Sequence, residues 1–183
     1  MEPQGGTYPV RLRLPVDYST EIGRIITRWA LLESRLRDTT HTLVDCGPKI
    51  GRLAVLEPRA QDYITMIQDI CKVLKITTTF DFKDTRKRIE EIKFYRDAIA
   101  HGIWLKHEGT KLPVLRVVRG KYQLPGSGKS FKARIDPQSL VIDLPTMKQL
   151  RKGIEMMIVR VDRFRREVKA EIDARKQKGS QTQ

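Results

Sequence analysis

The sequence predicts a mainly α protein, an antiparallel bundle of about four helices with a small β-hairpin or meander inserted before the last one. Apolar residues recur at spacings of three and four along most of the 183-residue chain, which is the helical period. The stretch at about 103–142 differs, because its apolar segments are short, partly alternating and separated by glycine and proline. We expect an extended arm at 1–18, one helical domain at 19–177 that carries this insert, and a disordered tail at 178–183.

The formal net charge of +14 is the strongest signal in the composition. Such an excess attracts polyanions, so nucleic acid is the first partner to consider, and a basic surface that only keeps the protein soluble is the alternative. Cys46 and Cys71 form no C-x-x-C pair, which argues against a zinc site and a disulfide scaffold. The chain begins without a secretion signal and has no long uncharged apolar segment, so we expect a cytoplasmic protein without membrane contact.

The first helix is predicted to run from Ser19 or Thr20, as its cap, to about Cys46, with Glu21 in its first turn. Glu33 is expected on its core-facing side, where it can reach Arg96 of the third helix, either as a buried ion pair or as part of a site. The apolar stripe of this helix comprises Ile22, Ile25, Ile26, Trp29, Leu32, Leu36 and Leu43.

The second helix is predicted to start at Pro58 and to end at about Ile76. The third follows Asp84, as its N-cap, and ends at His101. Gly102 then serves as the residue after the helix that can take a positive φ.

The last helix is predicted to start after its cap Asp143 and to continue to about Lys176. Cations on its outer face form either a ridge that follows RNA or an ordinary solvated surface. Its apolar stripe is long enough to brace the whole bundle and comprises Met147, Leu150, Ile154, Met157, Val161, Phe164, Val168 and Ile172.

The third helix is apolar on two sides. One stripe is interrupted by an arginine and consists of Ile89, Ile92, Arg96 and Ile99. The second lies roughly opposite and consists of Phe94, Ala98 and His101. A helix with two apolar sides needs two neighbours, so we expect one side to pack in the bundle and the other to meet a second copy of the chain in a homodimer.

Arg96 and His101 are the candidate pair for chemistry. Their spacing of five places the two side chains about 140° apart around one helix, too far for a tight pair. Two such helices related by a two-fold axis can bring both arginines and both histidines to a shared cleft. Asp97 lies four residues before His101, where a carboxylate can orient the imidazole.

The segment Arg-Asp-Ala-Ile-Ala-His at 96–101, followed by Gly102 and Trp104, resembles the signature of HEPN domains. The first helix, with Trp29 and Glu33, is similar to the first helix of many members. The resemblance implies an all-helical, usually dimeric fold and often a metal-independent ribonuclease. It further implies that Arg96 and His101 line a composite RNA-cleaving site, that Asp97 is the polar residue after the arginine, and that an antitoxin or another regulatory protein is a partner.

Aromatic side chains among cations near this segment favour RNA binding, because bases stack on rings while cations hold phosphates. A basic hairpin packed on the bundle is the alternative for the insert. The candidate RNA-binding residues are Lys93, Tyr95, Trp104, Arg116, Arg119, Lys121, Lys129 and Lys132.

The segment at 125–130, Pro-Gly-Ser-Gly-Lys-Ser, looks like the end of a phosphate-binding P-loop. The first glycine of that motif would have to stand at position 123, which is Gln123. No helix is predicted after it either, so we expect no nucleotide cofactor.

The leading functional hypothesis is an endoribonuclease that needs no metal. His101 would transfer protons at the ribose 2′-hydroxyl and the leaving oxygen, while Arg96 stabilises charge on the phosphate. The runner-up is a non-catalytic dimeric module that binds RNA or a protein, with Arg96 in a buried polar network. A DNA-associated accessory protein is a third possibility, because positive charge does not choose between nucleic acids.

Overall fold

The computed structural model describes residues 14–44, 59–106, 113–119, 136–140 and 142–180. The helices in these ranges are α1 at Val16–Leu43, α2 at Ala60–Val73, α3 at Phe82–His101 and α4 at Leu144–Ser180. The strands are β1 at Ile103–Lys106, β2 at Pro113–Arg119 and β3 at Asp136–Leu140. The prediction of a mainly helical bundle is confirmed.

The core is formed by most of the residues in the stripes that the three-four spacing predicts, but Ile26, predicted on the stripe of α1, is 43% exposed. On α1 the buried apolar residues include Ile25, Trp29, Leu32, Leu36 and Leu43. On α4 they include Met147, Ile154, Met157, Val161, Phe164 and Val168, with Leu150 and Ile172 partly buried against them. Each fully buried leucine, isoleucine or phenylalanine adds about 1.5–3 kcal/mol to the free energy of unfolding. The buried residues of α1 and α4 together therefore contribute strongly to the stability of the bundle.

Helices α1 and α4 run parallel. Glu21 contacts Arg151 near the start of both helices, and Asp38 contacts Arg165 further along both. Helix α3 runs the other way against α4, because Asp84 contacts Arg160 while Ile92 lies against Gly153. The expected antiparallel arrangement therefore holds for α3 and α4 but is wrong for α1 and α4. The apolar stripes could not reveal this, since they look alike in both directions.

A buried carboxylate joins the two parallel helices. The Glu21 side chain is only 2% exposed, and its Oε1 accepts a hydrogen bond of 2.6 Å from Nε of Arg151. Its other oxygen lies 3.4 Å from Arg24, a residue exposed on the surface. A carboxylate removed from water is tolerated only when a cation pairs with it closely, so this contact favours the observed register of α1 against α4.

The helix boundaries differ from the predicted ones at their starts. Helix α1 begins at Val16 with Pro15 in the cap position, three residues before Ser19. Helix α2 begins at Ala60, and Pro58 lies outside the described residues. Residues 1–13 of the expected arm lie outside them as well.

Asp81 is the cap of α3. Its carboxylate accepts a hydrogen bond of 2.9 Å from the backbone N–H of Asp84, so Asp84, the predicted cap, lies inside the first turn. There the Asp84 carboxylate accepts hydrogen bonds from Arg88 and Arg160. Asp81 and Asp84 are both suitable cap residues, three positions apart. Asp81 caps the helix, and Asp84 forms an ion pair with Arg160 of α4.

The predicted positive φ at Gly102 is wrong, because its φ is −75° and the chain leaves α3 in an extended conformation. The left-handed residue is Lys75, with φ 52°, at the end of α2. Ile76 N–H bonds to the Cys71 carbonyl and Lys75 N–H to the Lys72 carbonyl, the pattern of a Schellman motif. This turn ends α2 at Val73, before the predicted Ile76.

The cap of α4 agrees with the prediction. The Asp143 carboxylate accepts a hydrogen bond of 2.8 Å from the backbone N–H of Thr146, and its contacts with Thr146 lower the pKa of that carboxyl. The helix continues to Ser180, so the expected tail at 178–183 starts too early. Residues 181–183 lie outside the described part of the chain.

The described strands form one antiparallel sheet in the order β1-β2-β3. Trp104 of β1 packs edge-on against Tyr18 of α1, with ring centroids 6.0 Å apart. This contact places the sheet at the end of the bundle where α1 and α4 begin and α3 ends. In the described ranges, none of the helices combines the length and apolar character needed to cross a membrane.

The buried pair of Glu21 and Arg151 yields a stability prediction. Arg151→Met leaves the Glu21 carboxylate buried beside Arg24 alone, so the free energy of unfolding should fall by about 3 kcal/mol. Arg163→Met is the matched control, because Arg163 also pairs with a glutamate four residues later on α4 but is 77% exposed. This variant should lower the free energy of unfolding by less than about 1 kcal/mol. Urea unfolding followed by circular dichroism measures both. Adding Glu21→Met to Arg151→Met should recover most of the loss, and equal effects of the two single variants would contradict a buried pair.

A pH dependence follows from the contacts of Asp84. The hydrogen bonds from Arg160 and Arg88 lower the pKa of this carboxyl. A lowered folded-state pKa stabilises the protein above the ordinary carboxyl pKa, about 3.9, and this contribution is lost as the pH falls through the folded-state value. Asp84→Asn should therefore be less stable than the wild type at neutral pH, and the difference should vanish in strong acid. Urea unfolding at neutral pH and in strong acid checks this. Asp69→Asn is the control: Asp69 forms an exposed pair with Lys72, so this variant should change the free energy of unfolding little at either pH.

Candidate functional site

Arg96 lies in the core-facing stripe of α3, between the buried residues Ile92 and Ile99. Its side chain is 20% exposed, and its guanidinium carbon lies 4.7 Å from the centre of the Trp29 ring. A guanidinium over an indole face is attracted by the ring electrons and covers apolar surface with its stem. Trp29 itself is buried in the core, as predicted. Arg96 is thus held in one position by α1.

Asp97 binds cations on its own helix. Its Oδ1 lies 2.7 Å from Nη1 of Arg96, and its Oδ2 lies 3.3 Å from Nζ of Lys93. In the part of the chain that the structure describes, no ion pair joins Asp97 to His101 or Glu33 to Arg96. The expectation that Asp97 orients the imidazole is wrong for the isolated chain. Arg96 occupies one carboxylate oxygen of Asp97 and Lys93 the other, and both cations lie nearer to Asp97 than His101 does.

His101 is exposed in the last turn of α3. The helical spacing directs it about 140° away from Arg96, which faces Trp29. One chain therefore presents the arginine on the inner side of α3 and the histidine to solvent. The structure of the single chain does not bring the two predicted catalytic groups together.

Two buried N–H groups lie at the contact between Arg96 and Trp29. Nε of Arg96 and Nε1 of Trp29 have no hydrogen-bond partner among the described residues. A buried donor without an acceptor costs about 1–3 kcal/mol. Both donors are closed to solvent in the single chain, so a ligand does not reach them there.

The predicted RNA-binding residues are only partly brought together. Tyr95 is 39% exposed and lies edge-on against Phe94, while Lys93 is partly buried in its pair with Asp97. Trp104 is half-buried against Tyr18 and the core. On strand β2, Arg116 stands opposite Ser139 and Arg119 opposite Asp136, and only their backbone is described. Three lysines lie outside the described residues: Lys121, Lys129 and Lys132.

A polar cluster that the sequence did not single out lies between α1 and α4. Arg151 Nη1 donates to Glu155 Oε1 at 2.8 Å, and Arg28 Nε donates to the same oxygen at 3.2 Å. The hydrogen bond from Arg151 is the chief cause that lowers the pKa of the Glu155 carboxyl. The bond to Glu21 is the chief cause that raises the pKa of Arg151. The signal in the sequence was Glu21 itself, which stands four residues before Ile25 and therefore on the apolar stripe.

Cys71 offers no reactive thiol. It is buried, and burial raises the pKa of its thiol to about 11. The thiol therefore stays protonated at neutral pH, and only the thiolate is a nucleophile. The prediction that Cys71 belongs to the core is confirmed.

The different settings of Arg96 and His101 predict different stabilities. Arg96→Ala uncovers Trp29 and should lower the free energy of unfolding by about 1–2 kcal/mol. His101→Ala removes an exposed side chain and should change it by less than about 0.5 kcal/mol. Urea unfolding of both variants measures the difference. If Arg96→Ala is as stable as His101→Ala, the guanidinium does not pack on Trp29 in solution.

Comparison with known proteins assigns no family to this chain. No protein-family model matches it. No curated protein and no solved structure matches it either.

Proposed function

We propose that this protein is a metal-independent endoribonuclease of the HEPN type, and that its active site forms between two copies of the chain. The observation that carries the proposal is the fixed guanidinium of Arg96. It is held against Trp29 and paired with Asp97, five residues before an exposed imidazole on the same helix. A fixed cation and a free imidazole are the two groups that metal-independent RNA cleavage needs.

The reaction uses the nucleophile that RNA itself carries. His101 accepts the proton of a ribose 2′-hydroxyl, whose oxygen attacks the adjacent phosphorus. The protonated imidazole then returns this proton to the 5′-oxygen of the next nucleotide, which leaves, and the 5′ fragment keeps a 2′,3′-cyclic phosphate. Arg96 stabilises the negative charge that grows on the phosphate oxygens during the attack. DNA lacks the 2′-hydroxyl and is not cleaved.

The geometry of α3 supports the involvement of a second copy of the chain. Arg96 and His101 diverge by about 140° on one helix, so a single chain does not direct both at one phosphate. A two-fold axis beside α3 places Arg96 of one copy near the imidazole of the other. Tyr95, partly exposed on α3, is suited to such a contact because aromatic residues are enriched in interfaces.

The basic character of the chain supports an RNA substrate. The net charge of +14 attracts the phosphate backbone, and the insert at about 103–142 joins the end of the bundle next to His101. The HEPN resemblance adds a regulatory partner, such as an antitoxin, that holds the nuclease inactive.

A second candidate function is a non-catalytic dimeric module that binds RNA or a protein. The burial of Arg96 favours it, because the side chain is four-fifths covered and already engaged by Trp29 and Asp97. In that case Arg96 stabilises the bundle, and the surface cations alone hold the ligand. The two candidates differ in what His101 does, since its side chain is exposed in the single chain.

Cleavage of labelled RNA in the presence of a chelator tests the nuclease. We expect wild-type protein to cut RNA but not DNA, and His101→Ala to lose at least about 100-fold in rate, since general acid–base groups contribute that much. His101→Ala should still bind RNA, because the charge that attracts it is unchanged. Unaltered cleavage by His101→Ala would refute the proposal, and RNA binding without any cleavage by the wild type would favour the second candidate.

Mixing variants tests the composite site. Arg96→Ala and His101→Ala proteins are unfolded and refolded together, so that half of the dimers contain one copy of each. One of the two sites in such a dimer keeps both functional groups, so about a quarter of the wild-type activity should return. Each variant refolded alone is the control. No recovery would mean that the site does not combine Arg96 of one copy with His101 of the other.

A further inference from the structure

A groove of about 470 Å³ lies between α1 and α4, and its walls are rich in arginine. Arg24 and Trp29 are five residues apart on α1, so the groove and the contact between Arg96 and Trp29 lie on different sides of that helix. The groove is therefore separate from the candidate nuclease site. Its polar lining residues are Thr20, Arg24, Thr27, Arg28, Arg151 and Glu155.

The groove keeps unused hydrogen-bond donors. A guanidinium has five N–H donors, and toward the residues that the structure describes Arg28 uses only Nε, in its bond to Glu155. Arg24 contacts Glu21 through Nη1, and its other donors have no bond to a described residue. Both side chains are about half exposed or more, at 47% and 61%. The remaining donors are available to an anion that enters from solvent.

One cation in the groove is pre-organised. Arg151 is held from behind by the buried Glu21 carboxylate and from the side by Glu155. Its side chain is 22% exposed, so it reaches the groove without being free to turn away. Fixing a cation before the ligand arrives lowers the entropic cost of binding.

The charge of the groove suits a strongly charged anion. Arg24, Arg28 and Arg151 give three positive charges, and Glu21 and Glu155 give two negative ones. Glu21 stays with Arg151 because it is buried, whereas the Glu155 side chain is 35% exposed and can turn toward solvent. An anion that displaces Glu155 then meets the donors of both Arg28 and Arg151, and arginine pairs bind phosphoryl oxygens in a bidentate manner.

We propose that this groove is a binding site for a phosphoryl group that carries two or more negative charges, such as a terminal phosphate or a pyrophosphate. A terminal phosphate competes with Glu155 better than a singly charged phosphodiester does. The volume of about 470 Å³ lies within the usual range of small-ligand sites. The proposal does not depend on the nuclease, since no residue of the groove belongs to that site.

Titration calorimetry with inorganic pyrophosphate at constant ionic strength tests the site. The wild type should bind it saturably, and Arg28→Gln should weaken binding about tenfold because a charge-assisted pair is lost. Glu155→Gln removes the competing carboxylate and should strengthen binding several-fold. This gain separates a ligand site from a structural ion-pair cluster, in which Glu155→Gln only destabilises the protein. Arg163→Gln on the exposed face of α4 is the control and should bind like the wild type.

Competition against pyrophosphate distinguishes the source of the phosphoryl group. Adenosine 5′-monophosphate represents a free nucleotide, and DNA oligonucleotides with and without a 5′-phosphate represent a strand end. Displacement of pyrophosphate by the nucleotide, or by the 5′-phosphorylated strand more strongly than by the strand without it, supports the site. Absence of saturable pyrophosphate binding, or equal binding to Arg28→Gln with an unchanged circular dichroism spectrum, would overturn it.

Discussion

The parallel seam between α1 and α4 is the constraint on which the rest of the structure depends. Its apolar residues supply most of the core, and its ion pairs fix which residues stand opposite each other. Apolar stripes alone allow two helices to slide by a turn at little cost. The buried Glu21 carboxylate opposes such a shift, because this register places it against Arg151, and any other would leave its charge buried without that partner. A polar contact thus selects the arrangement that the apolar contacts stabilise.

The parallel direction decides what meets at each end of the bundle. The starts of α1 and α4 share an end with the last turn of α3, and the sheet joins that end through the contact of Trp104 with Tyr18. The positive ends of two helix dipoles therefore lie at the same end of the bundle as the last turn of α3. A fully antiparallel bundle would bring together a different set of helix ends. The set of helix ends around the last turn of α3 is therefore a consequence of the parallel packing of α1 and α4.

The sequence predicts the helices and their buried stripes well, because the three-four period reports burial directly. It predicts caps poorly wherever two suitable residues compete. Asp81 and Asp84 are both acceptable caps, and only the tertiary contact of Asp84 with Arg160 decides between them. The glycine that invites a left-handed turn is extended, while Lys75 adopts that conformation at the end of α2, where the Arg175 guanidinium donates to the carbonyls of Leu74 and Lys75. The relative direction of α1 and α4 could not be predicted from their apolar stripes, because a stripe looks the same in both directions.

The candidate site shows the same limit. The spacing of Arg96 and His101 correctly separates them on one helix, but the partner of Asp97 depends on which charges come nearest in space. Lys93, Arg96 and Asp97 together keep one net positive charge beside the ring of Trp29. A partly buried cluster of that charge attracts a phosphate more strongly than an exposed arginine does, because water screens it less. The pairing with Asp97 therefore holds the guanidinium in place while leaving the cluster positive, which is compatible with a role in stabilising a transition state.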